Sequence, residues 1–309
     1  MKHILIMGSG AVGGFYGAHL ARMEKHEVTF VARGDHLHAL QQNGIEITGL
    51  TAFRVDGIAA VRDPSDAGAP PDLVVICVKT FDTREAIEQL RPVIGRHTQV
   101  LTLQNGLENF ELLVDVFGRD RVIRGFCRIG VEVTEPGVID YRGLSHVCFG
   151  EENGASSNRV LQLQKNFEHA GISCEVSKDI RKQAWLKFIW NGIFNMLTGL
   201  ANVTIDRVFM DEHAYATTWK LFYEMQAVAG ASGVTVTDED GSEIIDGAEE
   251  LGAFRTSTFQ DRQRGKPLEY EAFCGYLVRK ADAFKLPVPA NRTLLALYRM
   301  LPESTGTRG

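Results

Sequence analysis

One segment of this sequence places polar groups at regular intervals in an otherwise bulky apolar setting. In Ala184-Trp-Leu-Lys187-Phe-Ile-Trp-Asn191-Gly-Ile-Phe-Asn195-Met-Leu-Thr198, the residues Lys187, Asn191 and Asn195 recur at every fourth position. That spacing puts them on one stripe of a helix. Apolar residues fill most of the remaining circumference, so the helix is expected to be largely buried. Buried amides need partners, and a buried ammonium needs them most. Such a stripe serves either a substrate cleft or a set of structural hydrogen bonds to neighbouring helices. In a cleft, desolvation would lower the lysine pKa toward the working range of a general acid.

A second chemistry is written at the N-terminus. The apolar run Ile4-Leu-Ile-Met7 leads into Gly8-Ser9-Gly10-Ala11-Val12-Gly13 and then into a helical stretch. Strand, glycine turn and helix in that order form the cradle of a dinucleotide pyrophosphate. Gly8 permits the tight turn, Gly10 the close approach of phosphate to backbone, and Gly13 the packing of helix on strand. The helix N-terminus faces the anion. The following strand, Glu27 to Ala32, ends at Arg33, where an acidic residue would select the ribose hydroxyl of NAD. Arginine there accommodates a 2′-phosphate instead, which favours NADPH. Asp35 is expected to cap the next helix.

Further candidates lie at strand ends. Lys79 follows the continuous apolar run Asp72 to Val78, and Asn105 follows the strand that ends at Leu103. Both would stand at the carboxyl edge of a parallel sheet, where ligands bind. The bland alternatives are a strand-ending surface lysine and a turn residue tolerant of positive φ. Thr256-Ser257-Thr258-Phe-Gln-Asp261 and, eight residues on, Glu269 are weaker signals. Ser257 could donate to a carboxylate or serve only as a helix-cap hydroxyl. Glu269 could hold a hydroxyl, pair with Lys187, or complement a helix dipole. The nine histidines form no metal-ligand spacing. The group His26, His36 and His38 reads as surface polarity.

These residues need a scaffold of two domains. The chain has 309 residues, 44% hydrophobic and 23% charged, with a formal charge of −6. That composition gives no sign of a nucleic-acid or membrane partner. Five scattered cysteines read as free thiols, and the first strand leaves no room for a cleavable signal, so a cytoplasmic location is expected. Strands alternate with helices through the first half, including helices from 11 to 24, 35 to 42, 83 to 90, 108 to 117 and 158 to 170. Turn signals stand at Glu135-Pro136-Gly137 and Arg142-Gly143. Nearly everything after about 178 reads as helix, ending in a polar tail over 304–309. The expected fold is α/β: a Rossmann-type doubly wound domain over 1–178 and an all-α substrate domain over 179–309, with the active site in the cleft between them.

With the motifs in this order, the chain resembles the ketopantoate reductase (2-dehydropantoate 2-reductase) family over nearly its full length. The resemblance rests on GSGAVGG at 8–14, VKT at 78–80, LQNG at 103–106, WLKFIWNGIFN at 185–195, TSTFQD at 256–261 with Glu269, and LPVPAN at 286–291. It implies NADPH-dependent reduction of 2-dehydropantoate to pantoate, a step toward pantothenate. It implies Lys187 as the general acid and Glu269 as a catalytic glutamate that contacts the substrate hydroxyl region and the cofactor side. Asn105, Asn191, Asn195 and Ser257 would bind substrate. Gly8 to Gly13, Arg33, Lys79 and Asn105 would bind cofactor. The helical domain would resemble that of 6-phosphogluconate dehydrogenases, and the protein would be a monomer or homodimer. The alternatives are a reductase of another 2-keto acid and a non-catalytic NADP(H) sensor. The aromatic residues Phe188, Trp190 and Phe194 look bulky for a pocket that takes a small dimethyl substrate.

Overall fold

The computed structural model describes residues 1–23 and 25–302. The end of the expected first helix at Glu24 and the expected polar tail over 304–309 lie outside them. The chain divides into two compact units, the first comprising Met1–Asn105 and Asn109–Ile180, the second Gly106–Glu108 and Arg181 onward. The first carries β1 (His3–Met7), α1 (Ala11–Ala21), β2 (Glu27–Val31), α2 (Gly34–Asn43), β3 (Ile45–Gly49), β4 (Phe53–Val55), β5 (Ala59–Val61), β6 (Leu73–Ile76), α3 (Thr83–Leu90), β7 (Gln99–Thr102), α4 (Glu108–Phe117), β8 (Val122–Glu135), β9 (Val138–Gly150), α5 (Asn158–His169) and β10 (Cys174–Val176).

These strands form one ten-stranded sheet. Its Rossmann part runs β5-β2-β1-β6-β7-β8, parallel throughout, and the strand order reverses beside β1. The loops that follow β1 and β6 therefore flank a topological switch point. Alternation along β1 explains its unbroken apolar run. Ile4 and Ile6 enter a core with Phe15 and Tyr16 of α1, while Leu5 and Met7 enter the opposite core with Ile87 and Leu90 of α3.

The sheet continues past the Rossmann strands. β8 and β9 form a long antiparallel hairpin, β9 also pairs in parallel with β3 and β10, and β4 closes the edge beside β3. The turn at Glu135-Pro136-Gly137 joins β8 to β9, as the sequence suggests. Arg142-Gly143 does not end a strand. β9 runs through it, with Gly143 at φ +122 in a zone of register shift opposite Gly130. The glycine absorbs a bulge that sequence alone presents as a turn.

Helix α1 is buried over Gly13–Leu20, and its glycines make that possible. A Cβ on Gly14 would fall 2.3 Å from Ile139 Cδ1 of β9, and one on Gly17 would fall 2.5 Å from the Phe30 ring of β2. The helix thus touches the Rossmann strands on one flank and the β3–β9 extension on another.

The second unit is helical: α6 (Ile180–Trp190), α7 (Met196–Ala201), α8 (Asp206–Phe209), α9 (Glu212–Ala231), α10 (Asp238–Glu249), α11 (Ser257–Gln263), α12 (Tyr276–Phe284) and α13 (Pro289–Arg299). A π-turn at Asn191–Asn195 joins α6 to α7, and another at Glu271–Gly275 leads into α12. The Glu224 carboxylate of α9 caps α13, accepting from the backbone N–H groups of Ala290 at 2.7 Å and Asn291 at 2.9 Å. Pro289 at the first turn has no N–H to offer, so the LPVPAN segment reads as a capped helix start. No helix among the described residues is long and apolar enough to cross a membrane.

Replacing Gly14 with valine should lower stability by about 2 kcal/mol or more, because β9 and β3 cannot both stay in place around the added side chain. The shift of the urea midpoint reads this directly.

Candidate active site

In the first unit the three glycines of the loop have three different surroundings. Gly8 adopts φ +94, and a Cβ there would fall 2.7 Å from the Val78 nitrogen; one on Gly13 would fall 2.1 Å from the Gly8 carbonyl oxygen. A Cβ on Gly10 meets nothing within 4 Å. The outer two are fixed by packing, and the middle one borders open space. Gly10 caps α1 without a side-chain hydrogen bond, and the first turn holds no acid. Ser9 is buried, with its hydroxyl 3.5 Å from the Ile6 carbonyl. No side chain caps the first amides of α1, from Ala11, Val12 and Gly13, the groups that a helix N-terminus offers to an anion. This cradle fits a dinucleotide pyrophosphate.

The neighbouring loops are held by a buried amide network. The Gln104 side-chain amide donates to the Val78 carbonyl at 3.0 Å and to Thr83 Oγ1 at 2.8 Å, and the Thr83 hydroxyl donates to Asn109 Oδ1 at 2.8 Å. Asn109 Nδ2 in turn donates to the Asn105 carbonyl at 2.7 Å. Lys79 and Asn105, both half-buried, therefore stand on loops tied to each other through Gln104 and Thr83. Sequence reasoning named the two loop residues and missed the three that position them. The buried polar side chains of Gln104, Thr83 and Asn109 carry no periodic signal that would expose them.

Arg33 is exposed at the end of β2, and its Nη2 lies 2.8 Å from Glu85 Oε1. It is also the residue at the N-cap of α2; Asp35, expected to cap, is the second helical residue, within the first turn. Nor is His36 mere surface polarity. Its Nδ1 accepts from the Gly137 N–H at 3.1 Å, so Nε2 carries the proton and donates to the Ser9 carbonyl at 2.8 Å. The ring ties the glycine loop to the β8–β9 turn. Burial pushes its pKa below the usual value. His26 is buried and bonded to the Met1 carbonyl, His36 is half-buried, and His38 alone of the three is exposed.

In the second unit, Lys187 is half-buried on α6, while Asn191 and Asn195 are buried at the two ends of the π-turn. Along a straight α-helix each four-residue step drifts about 40° around the axis, so Asn195 would stand about 80° from Lys187. A π-turn winds fewer degrees per residue and takes back part of that drift. It also leaves carbonyls short of donors, and side chains supply them. The Tyr298 hydroxyl donates to the Met196 carbonyl at 2.7 Å, and the Thr198 hydroxyl to that of Phe194 at 2.6 Å. Thr198 Oγ1 is also 2.7 Å from Oγ1 of Thr256, which caps α11 by accepting from the Phe259 N–H. Thr256, not Ser257, is thus the capping hydroxyl, and Ser257 is exposed beside it.

This arrangement brings Asn195 and Ser257 together. Asn195 Nδ2 lies 3.3 Å from Ser257 Oγ, and the buried Asn195 Oδ1 has no hydrogen-bond partner. Glu269, 7% exposed, directly precedes the helical stretch that opens into the second π-turn. Of the aromatic residues that looked bulky for a substrate pocket, Phe188 and Phe194 belong to the core and Trp190 is half-buried. Phe188 packs on Trp185, Phe273 and Tyr276, and Phe194 on Trp190 and Phe209.

A Rossmann sheet with an open glycine cradle, followed by a helical unit with a polar stripe, defines a class of nucleotide-dependent oxidoreductases. Comparison with known proteins gives the family. Residues 4–154 match the model of ketopantoate reductase PanE/ApbA, and residues 179–302 match that of its C-terminal part. A 2-dehydropantoate 2-reductase of Mesorhizobium japonicum is 32% identical over 98% of each chain. The crystal structure of a PanE/ApbA family ketopantoate reductase from Ralstonia eutropha superposes with a TM-score of 0.89 at 33% identity, covering 97% of this chain and 98% of that one. A D-mandelate dehydrogenase solved with NADH and anilino(oxo)acetate shares the fold alone, with a TM-score of 0.87 at 19% identity over 96% of this chain and 97% of that one. The chain belongs to the ketopantoate reductase family, whose members are pyridine-nucleotide-dependent reductases.

Three outcomes test this geometry. Gly10→Ala should leave the unfolding free energy from urea titration within about 0.5 kcal/mol of the parent, since its Cβ meets nothing, yet weaken nucleotide binding measured by titration. Tyr298→Phe should cost about 1–3 kcal/mol by orphaning a buried carbonyl, read in the same unfolding assay. For His36, the unfolded ring gains its proton as pH falls through about 6.5, whereas the folded ring gains it only at lower pH. The unfolded state thus binds more protons in that window, and stability falls on acidification. His36→Gln should flatten part of that loss in a series of urea midpoints from about pH 7.5 down to 5.

Proposed function

We propose that this protein reduces 2-dehydropantoate to pantoate with NADPH. The observation that carries the reading is the buried, unpartnered Asn195 Oδ1 beside the exposed Ser257 hydroxyl, a pair of polar groups placed for a small hydroxylated acid. The near-full-length likeness to 2-dehydropantoate 2-reductases supports the same substrate. The first unit is the nucleotide-binding part, with Gly8 to Gly13 on the pyrophosphate, Arg33 on the 2′-phosphate, and Lys79 and Asn105 on the nicotinamide side. The second is the substrate and catalytic part, holding Lys187, Asn191, Asn195, Ser257 and Glu269.

NADPH supplies the hydride that adds to the ketone carbon. Negative charge then builds on the former carbonyl oxygen, and the Lys187 ammonium stabilises it and gives up its proton to form the alcohol. Ser257 donates to the substrate carboxylate. Asn191 and Asn195 hold its hydroxyl region. Glu269 contacts that region and steadies the lysine, and Asn105 orients the nicotinamide or the reacting oxygen. The burial of Phe188 and Phe194 in the core supports a small dimethyl substrate, since it leaves only the half-buried Trp190 of the three bulky aromatic residues.

The test is NADPH consumption with 2-dehydropantoate, run beside a panel of other 2-keto acids. Lys187→Ala should lower kcat about 10²- to 10⁴-fold, the range of general-acid assistance, with nucleotide affinity unchanged. Turnover confined to a different keto acid would keep the chemistry and replace the substrate. Nucleotide binding without turnover on any acid would leave a sensor.

A further inference from the structure

We infer that Glu85 is an internal competitor for the nucleotide's 2′-phosphate and thereby sets how strongly the protein prefers NADPH over NADH; this rests on the proposed role of Arg33. Glu85 lies in the first turn of α3, where a carboxylate complements the helix dipole. Its Oε1 accepts from Arg33 Nη2 at 2.8 Å and from the Gln89 side-chain amide at 3.2 Å. The guanidinium is thus directed toward an anion that the protein itself provides.

The contact is poised for exchange. The two side chains remain 39% and 53% exposed, so solvent screens the pair and separating them costs little. A phosphate dianion is the better partner for an arginine fork than a single carboxylate oxygen. Its arrival nevertheless requires Arg33 to exchange Glu85 for the phosphate, and it leaves an acidic side chain close to the new dianion. Both effects weaken NADPH and spare NADH, which has only a hydroxyl at that position. A ribose hydroxyl is also a group that a carboxylate can accept from. Arg33 and Glu85 therefore form a graded selector, in which the arginine favours one nucleotide and the glutamate limits how far.

The test is a set of nucleotide titrations on the full chain. Glu85→Gln should tighten NADPH about 3- to 10-fold, the size expected when one nearby charge is removed in a screened setting, and change NADH by less than about twofold. In an Arg33→Ala background the same substitution should lose the share of its effect that comes from competition for the guanidinium, and keep only the smaller share that comes from removing a negative charge near the phosphate. Equal changes for both nucleotides, no change in NADPH affinity, or an undiminished gain without Arg33 would overturn the inference while leaving the nucleotide reading intact. Failure of the unsubstituted chain to bind NADPH would overturn both.

Discussion

The first unit is organised around the burial of helix α1. A helix covered on one side by β1 and β2 and on another by β3 and β9 has no flank left for solvent, so it cannot be amphipathic. Close approach on each flank then demands residues without side chains. Gly13 fits against the Gly8 carbonyl, Gly14 against Ile139 and Gly17 against Phe30. The same helix presents its uncapped N-terminus at the switch point of the sheet. Packing and an open helix N-terminus thus draw on one glycine-rich run, and most of its glycines answer to packing.

The second unit solves a different problem, which is how to place polar groups inside a helical core. Its answer is local irregularity. The π-turn at Asn191–Asn195 trades regular hydrogen bonds for a change in side-chain direction, and the surrounding helices return the missing donors through Tyr298 and Thr198. Close packing makes room for this. A Cβ on Gly192 would fall 2.5 Å from Met225, and one on Gly199 an equal distance from Thr258. Hydrogen bonds then link Thr198 with Thr256 and Asn195 with Ser257, which tie the π-turn and α7 to the start of α11.

Much of this was legible in the sequence. The helices 83–90 and 108–117 have the bounds that their hydrophobic spacing gives, and the glycine cradle follows from three positions with a strand before them. What remained hidden depends on partners distant in the chain. His36 is a polar residue near a strand end until Gly137 and Ser9 are seen on either side of its ring. Arg33 reads as a free guanidinium until α3 brings Glu85 to it. Periodicity cannot reveal a π-turn, because a four-residue spacing of Lys187, Asn191 and Asn195 is the pattern an unbroken helix would also give. Gly143 was misread for a related reason: bulge and turn share the same need for positive φ.

The pairing of β3 with β9 orders events during synthesis. Ile47 lies opposite Ile139 in that ladder, so the β3–β4 hairpin leaves the ribosome long before its partner strand exists. Until then it carries an unsatisfied strand edge, and one flank of α1 lies bare. Such edges invite pairing with other chains. The Rossmann strands can assemble earlier, from β1 outward, but helix α1 is enclosed only when the long hairpin folds back over it. The nascent chain is therefore most exposed to misassociation in the interval between emergence of the β3–β4 hairpin and emergence of β9.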